Sequence, residues 1–261
     1  MKTVVAGLVA ALVMSAVSVS TAEVRTEVVE YRHGDAVLEG YMAYDDSVKG
    51  KRPGILVVHE WMGHNPYVRM RAEKLARLGY AAFALDMYGK GVRAKDSKEA
   101  ASLAGIYKGN RTLMRARAQA GLDVLARHPM TDPSRLAAIG YCFGGTTVLE
   151  LARSGAALRG VVSFHGGLDT PSAEDARNIR GKVLVLHGAD DPYVKPTEIA
   201  AFQDEMRKAG VDWEFVAYGG AVHSFTNPDS GNDNSKGVAY NEKADRRSWE
   251  AMKTFLEEAL K

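Results

Sequence analysis

A single cysteine occurs in the 261 residues, in the stretch Gly140-Tyr141-Cys142-Phe143-Gly144-Gly145. The spacing is that of a nucleophile elbow, Gly-x-Ser-x-Gly, with a thiol in place of the hydroxyl. Such a turn needs a strand entering and a helix leaving, so that the nucleophile stands above a sheet edge at a helix N-terminus. Both are readable. Arg135-Leu136-Ala137-Ala138-Ile139 follows the turn signal Asp132-Pro133 and reads as a buried strand. Residues 146–153 read as a helix that stops at Ser154-Gly155. Glycine is needed where the backbone turns too tightly for a side chain. Taken alone, the hexapeptide fits a small buried cysteine in a glycine-rich turn equally well.

A thiol at neutral pH needs a base, and the base needs an orienting partner. His223 lies in Tyr218-Gly219-Gly220-Ala221-Val222-His223-Ser224-Phe225, a glycine-rich approach able to hold a ring over a sheet edge. The acid comes from His187-Gly188-Ala189-Asp190-Asp191-Pro192, with Asp169 as the outside candidate. Nucleophile, acid, histidine is the chain order of α/β-hydrolases. Their usual acid precedes proline, which selects Asp191 and leaves Asp190 to cap or face water. Of the other histidines, His59 and His187 end buried strands and read as core. His165 follows a strand and is a candidate pocket residue, while His33, His64 and His128 have no functional context. No cluster has metal-ligand spacing and the glycines match no phosphate loop, so neither metal nor organic cofactor is expected.

The elements that must position these groups alternate. Residues 24–44 read as a hairpin turning at His33-Gly34-Asp35, and residues 55–59 as a strand buried on both faces. A helix over 67–78 carries Leu75 and Leu78 inward and Arg69, Arg71, Lys74 and Arg77 outward. Then come a strand at 80–85, a polar loop at 90–98 and a helix over 110–127. Beyond the elbow follow strands at 158–164, 182–186 and 211–218, a polar excursion at 169–180, and helices over 196–208 and 240–260. This pattern gives an α/β fold, a mostly parallel central sheet with helices on both faces, whose ligands bind beyond the carboxyl ends of the strands. Glu60, Cys142, Asp191 and His223 each fall just after a strand.

With 46% hydrophobic and 25% charged residues the composition is that of an ordinary globular domain, and a net charge of +2 without a basic block gives no reason to expect nucleic acid. Met1-Lys2, the apolar run 4–19 and Ser20-Thr21-Ala22 read as a secretory signal peptide. The expectation is export to the periplasm or medium, cleavage after Ala22, one domain over 23–261, no stable membrane association afterwards, and a monomer. One cysteine excludes an intramolecular disulfide.

The segments Val58-His59-Glu60-Trp61-Met62-Gly63, Asp86-Met87-Tyr88-Gly89, Gly140 to Gly145, His187 to Pro192 and His223-Ser224-Phe225 give the chain a strong resemblance to the dienelactone hydrolase family of α/β-hydrolases. The resemblance implies that Cys142 attacks an ester carbonyl, that His223 serves as base and acid, and that Asp191 orients it. Glu60 would hold the resting thiol protonated and swing away when substrate binds. The N–H groups of Phe143 and Trp61 would form the oxyanion hole. Members that bind a dienelactone carboxylate use two arginines, and here those regions offer Lys90 and Asn227, a poorer match to a carboxylate. With Tyr88 and His165, these are the candidate substrate contacts. The implied substrate is a small-molecule ester or lactone. The alternatives are a peptidase or other acyl hydrolase on this fold, and a non-catalytic binding or thiol-redox protein.

Overall fold

The computed structural model describes residues 23–261; the expected signal segment, 1–22, lies outside them. A hairpin opens the domain, β1 (Val24–His33) and β2 (Ala36–Asp45), turning at Gly34 where φ is 58°. There follow β3 (Arg52–Val58), α1 (Pro66–Ala76), β4 (Ala81–Ala84), α2 (Ser97–Lys108), α3 (Arg111–Arg127) and β5 (Thr131–Tyr141). The second half runs α4 (Phe143–Arg153), β6 (Gly160–Phe164), β7 (Lys182–Gly188), α5 (Pro196–Ala209), β8 (Trp213–Tyr218) and α6 (Glu242–Ala259).

All eight strands form one sheet in the order β1-β2-β4-β3-β5-β6-β7-β8. Only the β1–β2 and β2–β4 pairings are antiparallel; from β4 onward every neighbour is parallel. The apolar strand runs are continuous because both faces are covered, and alternate residues sort to opposite cores. Leu56 and Val58 face one layer with α3, α4 and α5, while Ile55 and Val57 face the other with α1 and α6. The chain leaves β3 to one side for β4 and returns on the other as β5. That reversal opens a crevice at the carboxyl ends of β3 and β5. Glu60 and Cys142 follow those two strands.

Two expectations need correction. Residues 97–108, within and beyond the expected polar loop, form α2. Its start is marked by Asp96, whose Oδ1 accepts the Glu99 N–H at 2.8 Å while Glu99 Oε2 accepts the Lys95 N–H at 2.8 Å, a variant of the capping box. The second concerns the facing of α1: Leu78, expected inward, lies past its end and is 43% exposed, whereas Arg71, expected on the outer face, is only 1% exposed. Its guanidinium lies over the rings of Tyr67, Tyr141 and Trp249 and pairs with Asp245 at 2.7 Å. Aromatic faces and a carboxylate from distant elements replace its water.

Candidate active site

Cys142 is the hinge between β5 and α4, with φ 54° and ψ −114°. Its N–H is shared between Phe164 O at 3.0 Å and His165 Nδ1 at 3.1 Å. The turn closes this tightly because the neighbours are glycine. A Cβ on Gly140 would collide with Gly144 O, and one on Gly144 with the carbonyl of Val58. The sulfur, half-buried, sits at the N-terminus of α4, where unpaired N–H groups favour negative charge.

His223 Nε2 lies 3.0 Å from Cys142 Sγ, and His223 Nδ1 lies 2.8 Å from Asp191 Oδ2. The Asp191 side chain is fully buried and its other oxygen accepts the Tyr193 N–H at 2.8 Å. Asp190 instead accepts the Gly220 N–H at 3.1 Å on the exposed side, and Asp169 pairs with Arg111 at 2.7 Å, with no hydrogen bond to His223. Burial works against a charged His223 ring. Cys142 and Asp191 on either side outweigh it and raise the His223 pKa well above its usual value.

Glu60 is buried after β3, and both carboxylate oxygens are engaged: Oε1 by the Ser224 hydroxyl at 2.8 Å, Oε2 by the Asn227 amide at 2.6 Å. Among the hydrogen bonds of the described residues none joins Glu60 to Cys142, whose sulfur faces His223. The contact implied by the resemblance is therefore absent from this arrangement, because two neutral donors hold the carboxylate. Burial raises the Glu60 pKa, and the Ser224 and Asn227 hydrogen bonds pull against it.

The four candidate substrate contacts separate. Lys90 pairs with Glu30 on β1 at 2.7 Å on the exposed surface and makes no hydrogen bond to the Cys142 group. Asn227 is occupied at both ends, donating to Glu60 and accepting the Asp229 N–H at 3.0 Å. His165 is fully buried, with both ring nitrogens bonded within the protein. Tyr88 remains half-buried beside the site. Its hydroxyl donates to Trp61 O at 2.9 Å and its ring packs on Phe143 and on Tyr107 of α2. Burial raises its pKa, with a contribution from Cys142. Phe143 is the first residue of α4 and Trp61 follows Glu60 in a turn; neither N–H has a protein acceptor among the described residues.

Sequence reasoning does not single out Ser224, Thr226, Tyr67, Arg71 or Tyr107. Only Ser224 and Thr226, flanking Phe225 just after His223, have a signal in their position. Among the described residues no group of three or more His, Cys, Asp or Glu side chains is arranged to hold a metal ion.

Comparisons with known proteins agree with this fold. The chain is similar to the solved structure of m3DLH, with TM-score 0.88 and 44% identity, covering 91% of this chain and 99% of that one. It is equally similar to P91, a dienelactone hydrolase-like promiscuous phosphotriesterase from metagenomic libraries: TM-score 0.88, 44% identity, 92% and 100% covered. An uncharacterized protein of Caenorhabditis elegans is 38% identical over 150 residues, which is 56% of this chain and 94% of that protein. The family model described as the dienelactone hydrolase family matches residues 38–260, nearly the whole described domain. An α/β-hydrolase with a thiol, an imidazole and a carboxylate in line at the strand ends, this chain belongs to the dienelactone hydrolase family and is a hydrolase acting on esters.

Proposed function

We propose that the protein hydrolyses a carboxylic ester or lactone through a thioester on Cys142. Sγ attacks the acyl carbon while its proton passes to His223 Nε2, and Asp191 at Nδ1 holds the ring in place and stabilises the imidazolium. The carbonyl oxygen gathers negative charge between the N–H groups of Phe143 and Trp61, with the α4 N-terminus behind them. Collapse breaks the C–O bond, and His223 returns the proton to the leaving alkoxide. Water, deprotonated by His223, then attacks the thioester, releasing the acid and restoring the thiol. In a lactone the alcohol and the acid are parts of one product. Glu60 enters with its carboxyl group held by Ser224 and Asn227.

The observation that carries this reading is one ring, His223, with Asp191 on one nitrogen and Cys142 on the other at hydrogen-bond distance. Incubation with p-nitrophenyl acetate should give an acetyl adduct on Cys142 in the intact mass, and Cys142→Ala should lower turnover at least about 1,000-fold while staying folded. Wild-type turnover by the folded variant would overturn it. Attack of the same thiol on a phosphotriester is a second reading, favoured by the 44% identity with P91. Cys142-dependent release of the aryl group from a dialkyl aryl phosphate would support it.

A further inference from the structure

His165, a pocket candidate from its place after β6, is 0% exposed and turned away from solvent. Its backbone is as unusual as its position, with φ at 40°. Among the described residues three non-glycine side chains have positive φ: Cys142, His165 and Ser224. All three meet at this site, and strained backbone of this kind persists only where the surroundings enforce it.

The hydrogen bonds fix where the proton of His165 resides. Nδ1 receives the Cys142 N–H at 3.1 Å, so it must present a lone pair. The neutral ring then carries its proton on Nε2 and donates it to Thr226 Oγ1 at 2.8 Å. Burial first, then the neighbouring His223 and Arg71, keep the ring neutral. Thr226 lies three residues after His223 in the same loop. Its Oγ1 also pairs with Tyr67 Oη at 2.6 Å, and Arg71 donates to Thr226 O at 2.6 Å and to Tyr67 Oη at 3.2 Å. One imidazole thus accepts from the nucleophile turn and donates to the loop of the base. A histidine that merely fills the core needs neither bond.

We propose that His165 is a positioning residue for the hydrolysis: it clamps the Cys142 turn to the His223 loop and so holds Sγ against Nε2. The proposal rests on the Cys142 reading given above. His165 touches neither reacting atom; the His165 and His223 rings meet edge to face with centroids 5.3 Å apart. The Cys142 N–H keeps Phe164 O if His165 is lost, so the turn survives but its register against the loop loosens. A misplacement of about 1 Å at reacting groups lowers rates by up to about 100-fold. A thiol less well paired to its imidazole also yields thiolate at higher pH.

The test uses the full domain and three variants. His165→Phe keeps a ring and loses both bonds; His165→Asn places an acceptor near Nδ1; Thr226→Val removes the far partner. For p-nitrophenyl acetate, His165→Phe should lower kcat about 10- to 100-fold with KM little changed. The pH midpoint of Cys142 alkylation by iodoacetamide should rise. His165→Asn should recover part of both, and Thr226→Val should reproduce the rise. A folded His165→Phe with wild-type kcat and midpoint overturns the clamp, as does an Asn variant no better than Phe. Should His165→Phe not fold, Thr226→Val decides: wild-type kcat and midpoint there overturn it as well. Turnover that survives Cys142→Ala marks failure of the nucleophile reading instead, which separates the two.

Discussion

Asn227 donates its amide to Glu60 across 2.6 Å, joining positions 167 apart in the chain. With the Ser224 hydroxyl on the other oxygen, a buried carboxylate next to the reactive pair is held by two neutral dipoles. An arginine there would neutralise it; an amide only solvates it. Glu60 therefore stands under two opposed influences, burial raising its pKa and these two donors lowering it.

Replacing Asn227 with leucine keeps the number of side-chain heavy atoms and removes the donor to Glu60 together with the acceptor for the Asp229 N–H, the second loss being the same at every pH. A carboxyl whose folded pKa lies above its unfolded value contributes fully below the unfolded value and loses that contribution as pH rises through the folded one. Removing the donor raises the folded pKa further. The deficit of Asn227→Leu should therefore be smallest near pH 4 and grow by about 1–3 kcal/mol by pH 8, the range for stranding a buried polar group. Urea denaturation at the two pH values measures it, and equal deficits at both would refute the account.

Much of this site is legible in the sequence, because each piece is marked locally. Gly140, Gly144 and Gly145 flag the elbow, Asp191-Pro192 flags the strand-end acid, and the apolar runs at 55–58 and 182–186 locate the sheet. What is illegible is held by long-range contacts. Arg71 reads as one more outward cation on a basic helix, and it is Tyr141, Thr226, Asp245 and Trp249, remote in sequence, that make it a core residue. The α2 helix escapes a reading by pattern because it buries only Ala100, Ala104 and Tyr107, too thin a stripe to show as periodicity. His165 draws notice for its place after a strand, but the direction of its ring depends on a backbone conformation that sequence does not announce.

Acid should weaken the fold through histidines buried without charge. His64 donates from Nε2 to Ala84 O at 3.1 Å, and burial, then His59 and Arg69, depress its pKa to about 3. His59 and His165 are pushed down as well, burial leading in both. Unfolded histidine titrates near about 6.5, so below that value the unfolded chain binds more protons than the native one. Stability from these groups is complete above the unfolded pKa and is lost as pH falls toward about 3, at no more than about 1.4 kcal/mol per pH unit for each histidine. His223, shifted the other way, contributes stability that is already complete below the unfolded value, so it does not offset the loss as pH falls further. Unfolding free energies measured at pH 7, 6, 5 and 4 should fall steadily, and His64→Gln, which keeps a donor for Ala84 O, should flatten the slope. A protein more stable at pH 4 than at pH 7 would contradict the neutral burial of these rings.

The glycines around the site differ in what they must do, and alanine should sort them. A Cβ at Gly144 would press on Val58 O and His59 O, both backbone, at the crossing of α4 over the end of β3. No rotamer relieves such a clash, so the helix would have to lift from the sheet and carry the Cys142 turn with it. At Gly219, in the approach to His223, an added Cβ would meet nothing within 4 Å, and φ is outside the left-handed region. Gly144→Ala should cost about 3 kcal/mol or more, beyond ordinary overpacking, and should abolish ester turnover. Gly219→Ala should stay within about 0.5 kcal/mol of wild type, with unchanged turnover. Thermal denaturation and p-nitrophenyl acetate hydrolysis on the two variants make the comparison. If Gly144→Ala folds and turns over normally, the close approach of helix and strand is not what holds the thiol over the sheet edge.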